Sequence, residues 1–404
     1  MTDKQALGTA SSGAGGARGS GAQRSGIGGS GEQASEAPAS GRQDTGDAPV
    51  SSPAAVPGAG KGPLGLLRRS TLLRHVLLAL LALVVLDRIA ATFSPFHNSQ
   101  LASVLIFACA TAGLTLLTGT SGQISLGHGA FMAIGAYTAA LLLQDTAMPL
   151  WLVLVLATVG TAAAGALVGV AAARLRGPYL AGATLALAVG LPALANWRYL
   201  SDTLGGANGL TVVSPGPPAS LGSNFTLDRW QVEVCAVPTV LVFLLLANMG
   251  RSRYGRAWRA VRDDEVAASL SGLPVARLQV QAFIVSAACA GLAGGLFAFF
   301  NGLATPGAFP LTLSLQLLTA IVVGGLGSLA GAVYGSLLLV LLPTWSSDLA
   351  STLNLSRDIY ANLPLAVYGV VLILVMLLFP LGVQGLVRRA LAKVRPRGAA
   401  ARTT

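Results

Sequence analysis

Charged residues are scarce in this sequence. They make up 10% of its 404 residues, against about 25% in an ordinary soluble domain, whereas hydrophobic residues make up 53%. So few polar side chains cannot cover the surface of a globule in water. The composition therefore excludes a soluble globular protein and indicates that lipid is the solvent for most of the chain.

Cysteine and histidine are also scarce, with three residues of each type. They are widely separated and show no paired spacing: Cys109, Cys235, Cys289, His75, His97 and His128. This pattern predicts no disulfide framework and no metal site. It also argues against a membrane enzyme, which would need clustered His, Cys, Asp or Glu side chains. We therefore expect neither catalytic residues nor a bound metal.

The first sixty residues contain only four larger aliphatic side chains, at Leu7, Ile27, Val50 and Val56, and are rich in Gly, Ala and Ser. Such a segment cannot bury enough apolar surface to offset chain entropy, so residues 1–60 are predicted to form a disordered cytoplasmic tail. Near its end, Gly58–Gly62 partly matches a phosphate-binding loop. Ala55 replaces the first glycine of that motif, however, and Gly62 replaces its Ser or Thr. The stretch is interpreted as a linker, and the chain itself is predicted to bind no ATP and no other cofactor.

The formal net charge is +11, and a strongly positive charge is typical of many nucleic-acid-binding proteins. Here, however, the basic residues lie at the ends of apolar segments. This distribution argues against nucleic acid as a partner and favours contact with membrane lipid.

Ten apolar stretches follow the tail, several of them close to the ~20 residues needed to cross a ~30 Å hydrocarbon core. They lie at roughly 76–93, 101–118, 127–143, 149–173, 179–197, 234–249, 278–300, 311–325, 326–343 and 363–379. With the N-terminus inside, eighteen basic residues fall in inner segments and four in outer segments, as the positive-inside rule requires. The sequence therefore predicts an all-α polytopic membrane protein with about ten transmembrane helices and both termini cytoplasmic. Its membrane domain spans 61–387, and a basic cytoplasmic tail spans 388–404.

A glycine-broken, hydroxyl-rich stretch at 118–131 separates two of the apolar segments. Irregular backbone at membrane depth is tolerated only where it is buried or lines a cavity. The stretch is therefore a candidate helix break and translocation pathway, with the residues Gly119, Gly122, Gln123, Ser125, Gly127 and His128. His128 is interpreted as a capping or packing residue rather than a proton relay, since no carboxylate neighbours it in sequence.

The longest inner loop, residues 250–277, has the signature of two short helices. Arg259 and Asp263 are four residues apart, and Arg262 and Glu265 three, which are spacings that favour a helix. Asp263 or Asp264 is predicted to cap a second helix at 265–271, and Gly272 is a helix-stop signal. The loop is either a solvated basic segment or a docking element for a cytosolic partner. In the second interpretation the coupling residues are Arg256, Asp263, Asp264, Glu265, Ala267, Ala268 and Gly272.

Several motifs together resemble the branched-chain amino acid ABC transporter permeases of the LivM type. They lie at Gly122–Phe131, Gly177–Tyr179, Gly205–Leu210 and Gly324–Gly331. The loop segment Gly255–Gly272 looks like that family's version of the Glu-Ala-Ala coupling loop of ABC importers, although it reads Glu265-Val266-Ala267. The resemblance covers about 98–385.

This resemblance implies a permease subunit in the bacterial inner membrane that imports branched-chain or similar apolar amino acids by alternating access. The implied partners are a second related permease, two cytosolic ATP-binding subunits and an extracytoplasmic substrate-binding protein. Two alternatives stay open at this point. One is an ABC permease for urea or short amides, and the other is an ion-coupled secondary transporter. The second is disfavoured because ionisable residues are nearly absent from the interior of the predicted spans.

Overall fold

The computed structural model of the chain describes residues 71–145, 148–174, 178–222, 225–353, 357–378 and 382–394. The predicted disordered tail, 1–60, lies outside the described residues. So do Gly177 of the Gly177–Tyr179 motif and residues 395–404 of the predicted basic tail.

Helices dominate the described part of the chain. In chain order the α-helices are α1 (Thr71–Thr92), α2 (Pro95–Leu114), α3 (His128–Asp145), α4 (Leu150–Ala172), α5 (Pro178–Ala195), α6 (Ser201–Leu204), α7 (Leu227–Arg251), α8 (Arg253–Asp263), α9 (Glu265–Leu270), α10 (Val275–Asn301), α11 (Leu311–Gly324), α12 (Leu329–Thr352), α13 (Arg357–Leu378) and α14 (Gly382–Val394). A π-helical segment, Thr115–Thr120, continues α2. Two short strands, β1 (Leu210–Thr211) and β2 (Leu303–Ala304), pair antiparallel.

Local sequence signals account for several helix ends. Ser94 precedes Pro95, and its hydroxyl accepts a hydrogen bond from the backbone N–H of His97 at 3.5 Å. Proline at the first helical position is compatible with this cap because its missing N–H would have no partner there. Ser328 caps α12 in the same way, accepting from the N–H of Gly331 at 3.4 Å. All ten apolar stretches of the sequence overlap an α-helix of the structure.

Within the described residues, six helical segments are long and apolar enough to cross a membrane. They are Pro95–Thr120, Leu150–Ala172, Leu227–Arg251, Val275–Asn301, Pro306–Gly324 and Leu329–Thr352. Shorter apolar helices occur at Tyr179–Ala195 and Ala366–Val375. The protein is therefore an α-helical polytopic membrane protein, while the count of ten spans and the placement of its termini stay predictions.

The centre of the bundle is formed by α10 and by α2 with its π-helical continuation. The most apolar window of Pro95–Thr120 is 78% buried and that of Val275–Asn301 is 67% buried, against 33% for Leu150–Ala172. Glycines allow α10 to approach α3 closely: a Cβ atom added at Gly135 would lie 2.6 Å from the Cα of Gly291. Where water is absent, such close backbone contact replaces hydrophobic burial as the basis of helix association.

The loops separate into two groups at opposite ends of the bundle. At one end Arg262 contacts Gly119, Gly119 packs against Gly327, and Gly382 packs against Gly325. At the other end Arg229 of α7 pairs with Asp87 of α1. That second end also carries the pairing of β1 with β2. The first group contains segments that the charge distribution predicts to lie inside, and the second contains segments predicted to lie outside.

We expect cysteine labelling to reproduce this sidedness. Single cysteines at the exposed positions Asp202 and Ser351 should react with an impermeant maleimide in intact cells, whereas one at the exposed Ala267 should react only after the membrane is opened. The three native cysteines, all buried, are replaced by alanine in the background. Asp202 is preferred to the neighbouring Gly205, whose φ of +72° strains any other residue. Labelling of Ala267→Cys in intact cells would contradict the ten-span topology.

Candidate functional site

The loop between α7 and α10 folds into the two short helices α8 and α9. Ser252 caps α8, its hydroxyl accepting from the N–H of Tyr254 at 3.2 Å. Asp264 has an extended backbone and caps α9, its Oδ1 atom accepting from the N–H groups of Val266 and Ala267 at 2.9 Å each. Gly272 follows with φ of +79°, a left-handed conformation in which glycine has no steric cost. Helix α9 ends at Leu270, one residue before the end that the sequence predicts.

One side of this pair of helices is anchored to the membrane helices. Trp258 is 1% exposed, and its indole N–H donates to the carbonyl of Leu278 on α10 at 2.9 Å. Val261 and Ala268 are also buried. Ala268 is one of the predicted coupling residues, and its role in coupling stays a prediction. Its methyl group faces the bundle because α9 lies with that side against its own chain, whereas Ala267 is exposed.

The opposite side of α9 presents two large apolar side chains to solvent. Val266 is 68% exposed and Leu270 is 84% exposed. They are four residues apart and therefore share one face of the helix. We call Val266 and Leu270 the docking face. The sequence interpretation missed both residues, although an apolar pair at this spacing inside a charged loop was a visible signal.

Several charged residues of the loop have partners within the chain. Arg256 donates to the carbonyl of Arg251 at 3.2 Å. Glu265 accepts from the side-chain amide of Gln279 on α10 at 2.6 Å, which ties α9 to that helix. Asp263 accepts from Arg262 at 2.7 and 2.9 Å. The spacing in the sequence suggested two other ion pairs on a helix, Arg259 with Asp263 and Arg262 with Glu265. In the structure Arg262 pairs with the adjacent Asp263 instead, and Arg259 donates to a backbone carbonyl.

The predicted helix break lies at the same end of the bundle as this loop. After the π-helical segment the chain is irregular until α3 begins at His128. Gly122 has φ of +80°, and a Cβ atom there would lie 2.8 Å from the Cγ atom of Arg262. Gln123 is buried, and its amide donates to the hydroxyl of Ser121 at 2.7 Å.

Three further residues of the break, Ser125, Gly127 and His128, are also buried. Ser125 is 0% exposed, and its hydroxyl accepts from the N–H of Gly127 at 3.3 Å. Gly127 lies against Thr184 of α5. His128 is 0% exposed and bonds through Nε2 to the hydroxyl of Ser286 at 2.7 Å. This packing is the arrangement that the sequence interpretation favoured for His128.

A cavity of about 790 Å³ brings the break and the loop together. Its wall contains polar groups from both segments and apolar groups from α4, α5 and α10. The lining residues include Ser121, Gly122, Gln123, Ile124, Ala173, Leu180, Arg262, Asp263, Asp264, Glu265 and Gln279. The cavity is thus lined by two of the predicted break residues, Gly122 and Gln123, and by three of the predicted coupling residues, Asp263, Asp264 and Glu265. The other residues of the two predicted sets are not part of its lining.

Arg262 is the residue that connects the two sets directly. Its Nη1 atom donates to the carbonyl of Gly119, near the end of the π-helical segment, at 2.8 Å. Its Nε and Nη2 atoms bind Asp263. The sequence interpretation did not select Arg262 as a coupling residue, because its bond to Gly119 joins segments that are far apart in the chain.

Comparisons with known proteins agree with this architecture. Residues 98–379 match the family model described as "Branched-chain amino acid transport system / permease component". The high-affinity branched-chain amino acid transport system permease protein LivM of Salmonella typhimurium is 36% identical over 261 residues, or 58% of this chain. LivM of Escherichia coli is 35% identical over the same length. The chain covers 60% of the length of each of these two relatives.

A second kind of permease also matches. The high-affinity branched-chain amino acid transport system permease protein LivH of Escherichia coli is 29% identical over 301 residues, which cover 69% of this chain and 91% of the relative. No solved structure matches the chain.

Proposed function

The chain belongs to the family of permease components of branched-chain amino acid transport systems, and from that premise we propose that it is the membrane-spanning permease subunit of an ATP-driven importer. Its substrates are branched-chain or similar apolar amino acids, which it moves inward by alternating access. The chain itself binds no nucleotide. Energy comes from two cytosolic ATP-binding subunits that contact the loop between α7 and α10.

The observation that carries this proposal is the docking face on α9. An exposed valine and leucine on a short helix outside the membrane spans fit a partner that buries them. The helix is capped by Asp264 at its start and tied to α10 by the bond between Glu265 and Gln279. Because the docking face is already ordered, little conformational entropy is lost when a partner binds it. A partner bound there can transmit its movement to the membrane helices.

The charges near the outer end favour this function over an ion-coupled carrier. Carriers of that class keep ionisable residues within their helices as binding sites for the coupling ion. Here Arg229 of α7 bonds to Asp87 of α1 and lies 3.5 Å from Glu233. This cluster joins two helices near their predicted outer ends, away from the interior of the spans. His128 bonds to a hydroxyl rather than a carboxylate.

We further propose that the chain pairs with a second, related permease in the bacterial inner membrane. Its similarity to both LivM and LivH supports a pair of homologous subunits. An extracytoplasmic substrate-binding protein delivers the amino acid to the outer end. The other surfaces of the bundle contact lipid, and no nucleic acid takes part.

Uptake of tritiated leucine tests this function. Deleting the gene should abolish most high-affinity leucine uptake, and the plasmid-borne gene should restore it. The restored uptake should persist when a protonophore collapses the ion gradient while ATP is held constant, because hydrolysis supplies the energy. Labelled urea serves as the comparison substrate and should enter both strains equally. Uptake that stops with the protonophore would contradict the ATP-driven mechanism, and loss of urea uptake alone would contradict the substrate class.

A further inference from the structure

The six-residue π-helical segment at the end of α2 is an uncommon structure. Such segments are rare, occur mostly as single turns within α-helices, and are frequent at functional sites. Their wider hydrogen-bonding pattern is visible here, since the N–H of Ser121 bonds to the carbonyl of Leu116 at 3.0 Å. Just beyond the segment, the N–H of Gln123 bonds to the carbonyl of Leu117, six residues earlier, at 3.1 Å. The wider turns change the register of the helix and require other groups to satisfy carbonyls at its ends.

At the membrane side of the segment, side chains from two other helices supply such a partner. The hydroxyl of Ser286 on α10 donates to the carbonyl of Gly113 on α2 at 2.7 Å. Because its single proton is used in that bond, the hydroxyl accepts from Nε2 of His128, the first residue of α3, at 2.7 Å. These two consecutive hydrogen bonds thus link α2, α10 and α3 beside the π-helical segment.

At the loop side, the partner is Arg262 of α8. Its bond to the carbonyl of Gly119 satisfies the end of the π-helical segment. The aliphatic stem of the arginine packs against Gly122, where a Cβ atom would lie 2.8 Å from Cγ. On its other side Gly119 lies against the backbone of Gly327 in the turn between α11 and α12. The end of the segment is therefore enclosed by two loops, with the guanidinium group as its polar contact.

We propose that the π-helical segment is the element through which the docked ATPase acts on the membrane helices, and that Arg262 is the positioning residue that connects them. This inference rests on the proposed function. Asp263, the last residue of α8, binds Arg262, and Asp264, the next residue, caps α9, which carries the docking face. A displacement of α9 therefore moves Arg262, and with it the carbonyl of Gly119. The segment carries that movement to the junction at Gly113, Ser286 and His128.

The main alternative is that Arg262 only stabilises a helix end. Cations near the last turn of a helix are generally favourable, and the chain offers a matched case in Arg259. This residue lies one turn earlier on α8 and donates to the carbonyl of Gly250 near the end of α7 at 2.9 Å. The two arginines share a helix and a type of bond, but only Arg262 reaches the π-helical segment. Replacing each with glutamine separates the two roles.

The test measures leucine transported per ATP hydrolysed. The complex is purified through a tag on this chain and reconstituted in proteoliposomes with the binding protein outside and ATP enclosed. Arg262→Gln should lower the ratio by about tenfold, within the usual range for coupling between two sites, while ATP hydrolysis continues. Arg259→Gln should change the ratio by less than about twofold, because the cost of its lost bond falls on stability rather than coupling.

Ser286→Ala provides an independent variant at the other end of the segment, and should also lower the ratio. It decides the matter alone if Arg262→Gln fails to assemble. Equal ratios for the two arginine variants, or a normal ratio for Ser286→Ala, would overturn the inference. Failure of the proposed function is recognised separately, because the unmodified complex would then show no ATP-dependent leucine uptake at all.

Discussion

Replacing Gly294 with valine should reduce the amount of folded protein in the membrane by about tenfold or more. Gly294 lies on α10 where that helix crosses α3, and an added Cβ atom would overlap the carbonyl of Met132 and lie 2.9 Å from its Cα. Backbone atoms cannot move aside as a flexible side chain can, so the two helices must separate. Overpacking a filled site typically costs about 1–3 kcal/mol and occasionally more, out of a total stability of about 5–15 kcal/mol.

The matched control is Gly160→Val on α4. Gly160 is exposed on the outside of the bundle, and an added Cβ atom would meet no atom within 4 Å. Both changes replace a glycine inside a long apolar helix, so the difference between them reports packing alone. Membrane abundance of the tagged chain and its thermal midpoint in mild detergent are the measurements. Equal abundance and equal midpoints for the two variants would show that the crossing of α3 and α10 is not closely packed.

Replacing both residues of the docking face should abolish coupling to the ATPase. In the double variant Val266→Gln/Leu270→Gln, two exposed apolar side chains become polar without any change inside the bundle. Anchors at the centre of an interface typically contribute about 2 kcal/mol or more each. The ATP-binding subunits should therefore be lost on purification, and leucine uptake should fall by more than about a hundredfold.

Ser269 and Ser271 provide the matched double control. They are exposed residues of the same short loop and lie to the sides of the docking face. Ser269→Gln/Ser271→Gln introduces the same two glutamines but leaves Val266 and Leu270 in place, so the ATP-binding subunits should stay attached. The abundance in the membrane should be normal for both double variants, since the side chains at all four positions project away from the core. Retention of the partner subunits by the first double at normal stoichiometry would exclude α9 as their docking element.

Features governed by neighbouring residues could be predicted from the sequence. The ten apolar stretches overlap ten helices because helix formation in lipid follows from local apolar composition. The cap at Asp264 and the left-handed glycine at Gly272 follow from short-range hydrogen bonding and steric preference. The four-residue spacing of Gly291 and Gly295 is also a local signal, because small residues at that spacing allow helices to pack closely in lipid.

Features that depend on how the helices are rotated could not be predicted in this way. Helix α3 is apolar on all sides, so its sequence does not show which face meets α10. The sequence therefore contains no signal for the contact of Gly294 with Met132. The four-residue glycine spacing involves Gly291 and Gly295 rather than Gly294. The burial of Ala268 and the bond from Arg262 to Gly119 were hidden for the same reason, since both depend on the packing of segments that are distant in the chain.

The pairing of β1 with β2 also sets an order of events during biosynthesis. Strand β2 is made only after α7, α8, α9 and α10, so β1 has no partner while those helices are synthesised. At roughly 5–20 residues per second this interval lasts several seconds. During that time the segment around β1 lacks the bonds that later hold it to Gly302 and Phe299. The predicted sidedness places this segment outside the membrane, so we expect it to be most accessible to extracytoplasmic proteases during this interval.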